Sequence, residues 1–460
     1  MSSSSPAESQ KTSIELRSFD FHDAEKCQPT TIHLKPADGG PAAWRILIAA
    51  VILESLLWGF PLSFGVFQNY YACLPQFENN QNIPVVGTVA TGICYLGAPV
   101  VVLLMDWFPG WERMWVWVGW PLCLGGLVAG SFATTLPGLI LTQGVMYGTG
   151  FVLFYYPTIH FVNDFWIKRR GFAFGTMCAS SALAGIVFPF ALEALLNRYG
   201  YATTLRVLAL GLAVLTAPVM PFLVARVPSS EYQSTTVSND WQCLRNVDFW
   251  VFSIANLVQN FGYFFPALYL PSIATSVHRS AAEGALLVAI LSIAQALGQF
   301  GFGYASDREV SLNVLIWASC LCSGIVVTIF YCLVAKTMTS LVIFSLTYGF
   351  FAGAWISLWS QMGTTIYGGK PPTTLVSLSL LCFGAGIGNV AAGPISAILI
   401  NRRLDKPGAQ KFDFLMVFTG LCMTFAGGVV LAVQLWRGVK ARRTRARAGK
   451  ERCTEKEIGG

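Results

Sequence analysis

The sequence predicts an all-α polytopic membrane protein whose twelve transmembrane helices form two six-helix bundles. The first reason is composition, because 54% of the 460 residues are hydrophobic and only 12% are charged, with a mean hydropathy of +0.57. The second is that the apolar residues fall into twelve runs, each close to the roughly 20 residues that cross a bilayer as a helix. The third is the lack of the short alternating segments that a membrane β-barrel requires.

The predicted spans are separated by short polar connections and by one longer polar segment, residues 225–247. Six spans on each side of that segment place an N-terminal bundle at residues 44–224 and a C-terminal bundle at residues 248–436, with a cytoplasmic linker between them. The individual spans are expected at residues 44–67, 83–105, 114–134, 137–162, 171–191, 203–224, 248–272, 283–304, 311–334, 339–366, 373–400 and 411–436.

Positive charge orients these helices, because Lys and Arg near span ends are retained on the cytoplasmic side. With both termini inside, 22 of the 30 Lys and Arg residues lie in the inner tails and loops. The net charge of +7 therefore reflects topology. We predict a multi-pass protein of the plasma membrane with both termini in the cytoplasm.

The two ends of the chain are polar. Residues 1–43 are rich in Ser and lack the apolar stretch of a signal peptide, so a disordered cytoplasmic tail is expected. Residues 437–460 form a basic cytoplasmic tail with no folded module that would present it to nucleic acid. This tail is either a solvated topological signal or attracted to anionic lipid headgroups of the bilayer.

No metal or cofactor site is expected. The chain has twelve Cys and four His, and the closest cysteines, Cys320 and Cys322, lack the spacing of a zinc or redox motif. The Gly-x-Gly runs follow no strand and precede no Gly-Lys-Ser/Thr sequence, so they are not nucleotide-binding loops.

The two predicted bundles repeat one pattern at their cytoplasmic mouths. Span two ends in GAPVVVLLMDWFPGWER, with Asp106 and Arg113, and span eight ends in GQFGFGYASDR, with Gly303, Asp307 and Arg308. Glycine allows helix backbones to approach closely, and the charged pair can bridge to a neighbouring helix end. We interpret each copy as a latch that opens and closes as the bundles rock.

These motifs, together with the loop after span four, FWIKRRGFAFGTMCASSALAGIVFP, resemble the major facilitator superfamily and, within it, the monocarboxylate-transporter-like branch found in fungi. WGFPLSFGVFQNYY in span one and FGYFFPALYLPS in span seven resemble the same branch. The resemblance implies alternating access to a central site between two halves. It also implies that the basic run Lys168, Arg169 and Arg170 takes part in the intracellular gate.

The sequence departs from animal monocarboxylate carriers at three positions. Leu62 stands where those carriers have a Lys, and Gln295 and Gln299 stand where they have an Asp and an Arg. The two amides lie one helical turn apart, and they either line a cavity for polar, uncharged cargo or hydrogen-bond neighbouring helices. The loss of the charged residues argues against a lactate-like proton symport.

Other polar residues recur at helical spacing inside predicted spans. Asn256, Gln259 and Asn260 share a stripe of span seven that is poorly suited to lipid, so we expect it to face a cavity. Tyr156 and His160 share one face of span four, and His160 either titrates near neutrality or forms a structural hydrogen bond.

Aromatic and acidic residues supply the remaining candidates for the binding site. Trp355 and Trp359 lie one turn apart in span ten, where they either stack on a flat ligand or serve packing and interfacial anchoring. Glu54 lies near the middle of span one, and an intramembrane carboxyl group marks a functional site by default. It either carries a coupling proton or forms a hydrogen bond to a neighbouring span.

We therefore expect secondary active transport of a small organic solute, driven by its own gradient or by protons, with no particular oligomeric state predicted. Export of a fungal secondary metabolite is the leading interpretation, and uptake of a monocarboxylate or vitamin-like nutrient is the alternative. A membrane enzyme would need several convergent Asp, Glu or His residues at one depth, and the spans offer little beyond Glu54 and His160. A nutrient sensor on the same fold usually carries a long cytoplasmic extension, which is not seen.

Overall fold

The computed structural model describes residues 36–77, 82–226, 240–308, 310–330, 337–367, 374–402, 410 and 412–458. All regular secondary structure in these ranges is helical, and we group it into twelve helices, α1 to α12. Seven helical stretches are long and apolar enough to cross a membrane, and eight when the bent second helix is counted as one span. The predicted all-α polytopic architecture is confirmed.

The first half of the molecule comprises six helices. Their bounds are Gly40–Ala72 for α1, Pro84–Leu96 with Ala98–Trp107 for α2, Glu112–Gly130 for α3, Leu136–Phe165 for α4, and residues 170–199 and 201–216 of the stretch Arg170–Thr216 for α5 and α6.

The second half comprises six more helices. Their bounds are Val247–Ser276 for α7, Ala281–Ser306 for α8, Leu312–Ile325 with a π-helical continuation Val326–Phe330 for α9, Met338–Ile366 for α10, Thr374–Asn401 for α11 and Asp413–Ile458 for α12.

Local sequence explains where several helices begin, bend and end. The Ser280 hydroxyl accepts the N–H of Glu283, and the Glu283 carboxylate accepts the N–H of Ser280, a capping box that starts α8. Gly200 separates α5 from α6 with φ of 75° and ψ of 170°, a conformation that side-chain-bearing residues avoid. Gly97 interrupts α2, whose two parts are bent by 42°.

The helices pack as two halves joined along two seams. In the first half α1 packs against α5 and α3 packs against α4, whereas in the second half α8 packs against α10 and α7 packs against both α11 and α12. The seams between the halves are formed by α5 with α8 and by α2 with α11. A central region between the halves is thus bordered by helices from both of them.

Two helix ends differ from the sequence prediction. The sixth helix ends at Thr216 rather than at residue 224, because Pro218 and Pro221 cannot donate the backbone hydrogen bonds that would continue it. The basic tail after residue 436 continues α12 as one helix to Ile458, since its Ala, Arg and Lys residues are strong helix formers. The predicted disordered tail up to residue 35 and most of the predicted linker, residues 227–239, lie outside the described residues.

One end of the helical bundle is marked by the beginning of α1 and the polar part of α12, and we call it the termini side. Asp38, just before α1, accepts the backbone N–H of Lys168 in the α4–α5 connection at 2.7 Å. Arg437 of α12 forms an ion pair with Asp248 at the beginning of α7, with Nη1 and Oδ1 2.6 Å apart. The opposite end is called the far side.

Candidate functional site

Glu54 in the middle of α1 is a buried carboxyl group with only one of its two oxygens engaged. Its side chain is 4% exposed. The Tyr155 hydroxyl of α4 donates to Glu54 Oε1 at 3.1 Å, whereas Oε2 has no hydrogen-bond partner among the described residues. A buried acceptor without a donor is costly, so Glu54 stays a candidate site for a proton or a ligand.

An aromatic cluster adjoins this carboxyl group through Tyr155, whose hydroxyl donates to it. Trp58 lies one turn after Glu54 on α1, and its ring packs 5.3 Å from Tyr95 of α2, 4.9 Å from Phe151 and 6.1 Å from Tyr155 between ring centroids. Phe151 and Tyr155 lie 5.0 Å apart. The first half of the molecule therefore presents its carboxyl group in a wall of aromatic faces and edges.

The second half reaches the same region. Cys382 of α11 lies within electrostatic range of Glu54 and forms a side-chain hydrogen bond with Tyr156 of α4. Cys178 of α5 is within range of both Glu54 and Cys382. The hydrogen bond between Tyr156 and Cys382 joins α4 to α11, and we call the region around it and Glu54, between the halves, the centre.

The amides of α8 also face the interface. Gln295 is partly exposed and donates from Nε2 to the Tyr263 hydroxyl of α7 at 3.2 Å, and Tyr263 in turn lies within electrostatic range of Cys178. Gln299 is 4% exposed, and its Oε1 has no partner in the part of the chain that the structure describes. At Gln299 the backbone of α8 packs closely against α5, because a Cβ built on Gly175 of α5 would lie 2.6 Å from the Gln299 carbonyl oxygen.

The polar stripe of α7 is mostly engaged within the second half. Asn256 donates from Nδ2 to the Leu381 carbonyl of α11 at 2.8 Å and accepts from Trp355 Nε1 of α10 at 2.9 Å. Asn260 donates from Nδ2 to the backbone and side-chain oxygens of Asn256. These bonds join α7 to α10 and α11, so the two amides hydrogen-bond neighbouring helices. Contact of these residues with cargo stays a prediction.

Gln259, Trp359 and His160 differ in their surroundings. Gln259 is 1% exposed, and neither its amide nitrogen nor its oxygen has a partner among the described groups. Trp359 is likewise buried with an unengaged indole N–H in that same set. His160 lies near the termini-side end of α4 with its Nε2 3.9 Å from Asp164, so it is remote in sequence from the middle of the span. The Tyr156 hydroxyl donates to the Cys94 carbonyl at 3.3 Å.

The halves make close contact on the termini side. A Cβ built on Gly303 of α8 would lie 2.5 Å from the Gly171 carbonyl of α5, and one built on Gly175 would lie 2.6 Å from the Gln299 carbonyl. The small residues Ala179, Ala182 and Ala296 continue this seam. The backbones of α5 and α8 thus approach closely at Gly303, and its part in a gate stays a prediction.

Asp307 closes the seam at the end of α8. Its carboxylate accepts the N–H groups of Gly171 and Phe172, at 2.8 and 2.6 Å, and the side-chain amide of Gln361 from α10 at 2.6 Å. Burial raises the pKa of the Asp307 carboxyl, and the three hydrogen bonds oppose that rise. An acidic side chain from the second half thus caps the N-terminus of a first-half helix, where the helix dipole favours negative charge.

The basic residues of this region make both backbone and side-chain contacts. Lys168 and Arg169 donate backbone N–H groups to Asp38, and buried Arg170 donates from Nε to the Trp166 carbonyl at 3.2 Å. Arg308 folds back over the Tyr304 ring of its own helix, 4.8 Å from the ring centroid. In the first-half copy Asp106 is exposed near the end of α2, and Arg113 lies in the first turn of α3.

Several residues of the site were not singled out from the sequence. Tyr155, the partner of Glu54, is adjacent to Tyr156 and shares a helical face with Phe151, and this pattern was visible. Cys178, Cys382 and Gln361 carry no pattern that separates them from packing residues, and Asp38 lies in a polar segment before the first span. Leu62, by contrast, is half exposed in the structure.

Comparison with known proteins gives a consistent result. A sequence model described as Major Facilitator Superfamily matches residues 114–388. The chain is 26% identical to the MFS transporter asaE of Aspergillus flavus, over 86% of this chain and 88% of that protein. It is 25% identical to the Fujikurins efflux protein of Gibberella fujikuroi, over 87% and 84%, and 26% identical to Monocarboxylate transporter 13 of Bos taurus, over 87% and 91%.

A solved structure has the same fold. It is the crystal structure of the Major Facilitator Superfamily transporter FucP in the outward conformation, which matches with a TM-score of 0.55 and 13% sequence identity. The match covers 84% of this chain and 98% of that one.

Proposed function

This chain belongs to the Major Facilitator Superfamily and is a membrane transporter, and from that premise we propose that it exports a small organic secondary metabolite, with Glu54 as the group that couples export to protons. The observation that carries the proposal is the position of Glu54, a half-engaged buried carboxyl group at the interface between the halves. An intramembrane carboxyl group at such a place marks a proton or substrate pathway.

The direction of transport is supported by the relatives. Two proteins similar to this chain over most of its length carry names that refer to efflux, the Fujikurins efflux protein and the Agnestins efflux protein AgnL12 of Paecilomyces divaricatus. Monocarboxylate transporter 13 supports the alternative of monocarboxylate transport. The uncharged residues Leu62, Gln295 and Gln299 favour a cargo other than a monocarboxylate, because a carboxylate cargo needs a cationic partner when it leaves water.

The geometry of the seams supports alternating access. The termini side, which we assign to the cytoplasm, is held by Asp307 on the N-terminus of α5 and by the glycine contacts of Gly171 and Gly303. Opening this side requires these contacts to break while the internal packing of each half persists. The cycle then presents the centre first to the cytoplasm, where cargo binds, and afterwards to the outside, where it is released.

Protonation of Glu54 would alternate with cargo binding. With Oε2 unengaged, the carboxyl group is satisfied either by a proton of its own or by a donor on the ligand. Binding of a proton from the outside and its release to the cytoplasm would therefore drive cargo outward. This antiport mechanism needs one titratable group, and Glu54 supplies it.

The proposal is tested by loss of the gene in the source organism, with metabolites measured by mass spectrometry in cells and medium. Export predicts that at least one secondary metabolite accumulates inside cells and falls in the medium, and that the purified protein in proteoliposomes exchanges that compound in counterflow. Depletion of a nutrient from the medium that stops when the gene is lost would instead support uptake. A compound that accumulates but shows no counterflow would contradict direct transport.

A further inference from the structure

The middle of the helical bundle is free of Lys and Arg. The sequence has none in residues 46–112, 114–167, 171–197, 246–278, 280–307 or 371–401, which include the central parts of α1, α2, α4, α5, α7, α8 and α11. The groups that lie within electrostatic range of Glu54 are phenols and thiols, from Tyr155, Cys178 and Cys382. An ionised Glu54 therefore has no Lys or Arg partner in the described parts of the spans that border the centre, and the His160 imidazole of α4 lies 3.9 Å from Asp164 instead.

Two unengaged oxygens, one on each side of this interface, are hydrogen-bond acceptors. Glu54 Oε2 belongs to a side chain that is 4% exposed, and so does Gln299 Oε1 on the other half. Neither has a donor within the described chain, and Glu54 Oε1 is already satisfied by Tyr155. With Glu54 ionised, a ligand group that completes these two positions must donate hydrogen bonds, since a further acceptor would satisfy neither oxygen.

The aromatic cluster that includes Tyr155 favours a cationic hydrogen-bond donor. Trp58, Tyr95, Phe151 and Tyr155 pack with centroid separations between 4.9 and 6.1 Å. The face of an aromatic ring is electronegative and attracts a cation, most strongly in a site shielded from water. A carboxylate combined with several aromatic rings is the combination that recognises a protonated amine better than a hydroxyl or an amide N–H.

Resting on the transport function proposed above, we propose that the cargo carries a protonated amine that pairs with Glu54 Oε2 against the aromatic wall of Trp58, Tyr95 and Tyr155. A carboxylate or phosphate on the cargo would be excluded from the centre, because no Lys or Arg in the bordering spans would offset its desolvation. In this structure the centre is closed over Glu54, and the halves must part along the seams to admit the amine.

The amine and the coupling proton then compete for one carboxylate. A cationic amine that binds to protonated Glu54 displaces one proton to water, so that charge is conserved at the site. The other titratable groups facing Glu54 are the hydroxyl of Tyr155 on α4 and the thiols of Cys178 on α5 and Cys382 on α11. The Tyr95 ring of α2 packs 5.3 Å from Trp58 between ring centroids. All four are neutral when protonated, which leaves Glu54 as the group whose charge changes.

Cys382 provides a test of charge preference that does not depend on the identity of the cargo. In a variant that keeps Cys382 and replaces the other cysteines by Ser or Ala, the labelling rate is measured with cationic 2-aminoethyl methanethiosulfonate and anionic 2-sulfonatoethyl methanethiosulfonate at alkaline pH. Each rate is divided by that of a free thiol. We expect the normalised rate of the cation to exceed that of the anion by on the order of tenfold, because of the uncompensated charge of Glu54.

Two further substitutions define the outcomes. In Glu54→Gln we expect the ratio of cation to anion labelling rates to fall to about unity. In Glu193→Gln, which removes an exposed carboxyl group from α5, we expect the ratio to be retained, because water and salt screen an exposed charge. Equal or faster labelling by the anion in the variant that keeps both Cys382 and Glu54 would overturn the inference. If neither reagent reaches Cys382 from either side of the membrane, the centre is not an aqueous site, and the proposed transport function falls together with the inference.

A second measurement avoids the loss of cysteines. Wild-type protein in weakly buffered detergent solution is mixed with benzylammonium, or with benzyl alcohol as the uncharged control, and the pH is followed with an indicator dye. We expect release of about one proton per protein with benzylammonium, none with the alcohol, and none in Glu54→Gln. No release from wild-type protein that still exchanges its own cargo in counterflow would overturn the inference and leave the transport function standing.

Discussion

The two halves of the molecule bring different polar chemistry to the interface between them. The first half contributes one carboxyl group, Glu54, with a single hydrogen bond from Tyr155. The second half contributes uncharged amides, and the largest group of them, Asn256 and Asn260 on α7, is already bonded to two neighbouring helices, α10 and α11. On the function proposed above, this difference assigns charge coupling to the first half and a hydrogen-bonded frame to the second.

The largest effect is expected where the two halves touch. Gly303→Leu places a side chain against the Gly171 carbonyl, 2.5 Å from the position of its Cβ. Overpacking of this kind costs about 1–3 kcal/mol, which shifts the equilibrium of the closed termini side by roughly 5- to 150-fold. We expect transport to fall accordingly in a counterflow assay.

The control for this substitution is Gly301→Leu, because a Cβ at Gly301 meets no atom within 4 Å. It should leave counterflow within about twofold of wild type, given the usual small effect of unhindered surface changes. Equal loss in both variants would mean that the α8 backbone, rather than the seam, is sensitive, and the two halves would then not move as separate bodies.

Asn256→Ala tests whether the hydrogen bonds of the second half serve to hold its helices together. The substitution removes three side-chain hydrogen bonds that join α7 to α10, α11 and Asn260, at about 0.6 kcal/mol each in a membrane bundle. We expect a lower midpoint of thermal unfolding in detergent, corresponding to about 2 kcal/mol, and an unchanged dependence of transport on pH. Exposed Asn69→Ala is the matched control. A changed pH dependence with normal stability would move Asn256 from the frame into the coupling mechanism.

Substitution of Gln259, on the same face of α7, should raise stability rather than lower it. Both of its amide atoms are buried without partners in the described chain, so Gln259→Leu removes an uncompensated polar group and should stabilise the protein by about 1 kcal/mol. Gln143→Leu in the first half is the comparison, because it breaks the 2.8 Å bond to Tyr71 and should destabilise. If Gln259→Leu raises the unfolding midpoint but reduces counterflow, the amide contacts cargo.

The smallest effect is expected at Gln295. Its side chain is partly exposed and makes one bond, to the Tyr263 hydroxyl. Gln295→Leu should weaken apparent cargo affinity by about threefold, the equivalent of one neutral hydrogen bond in this setting, without altering the unfolding midpoint. Affinity is read from the concentration dependence of counterflow. A loss of cargo affinity above about a hundredfold would mean that the second half, rather than Glu54 in the first half, carries the main recognition group.

Much of the fold was predictable from the sequence, because apolar runs of bilayer length have few alternative structures. Glu54 was predictable for the same reason, since a carboxyl group in such a run stands out. The bonds of Asp307 were not, because its partners are the backbone N–H groups of Gly171 and Phe172, which no side-chain pattern reveals. The sequence also gave no means to separate the bonded amide Asn256 from the unengaged Gln259, since spacing places them on one face but does not identify their neighbours.

The most direct test of the account is the pH dependence of transport in Glu54→Gln. Proteoliposomes containing wild type, Glu54→Gln or Glu193→Gln are compared for cargo transport driven by a pH gradient and for cargo counterflow without a gradient. The account predicts that Glu54→Gln loses gradient-driven transport by on the order of tenfold or more, while Glu193→Gln behaves as wild type. Gradient-driven transport by Glu54→Gln at the wild-type rate would contradict the central claim that this carboxyl group carries the coupling proton.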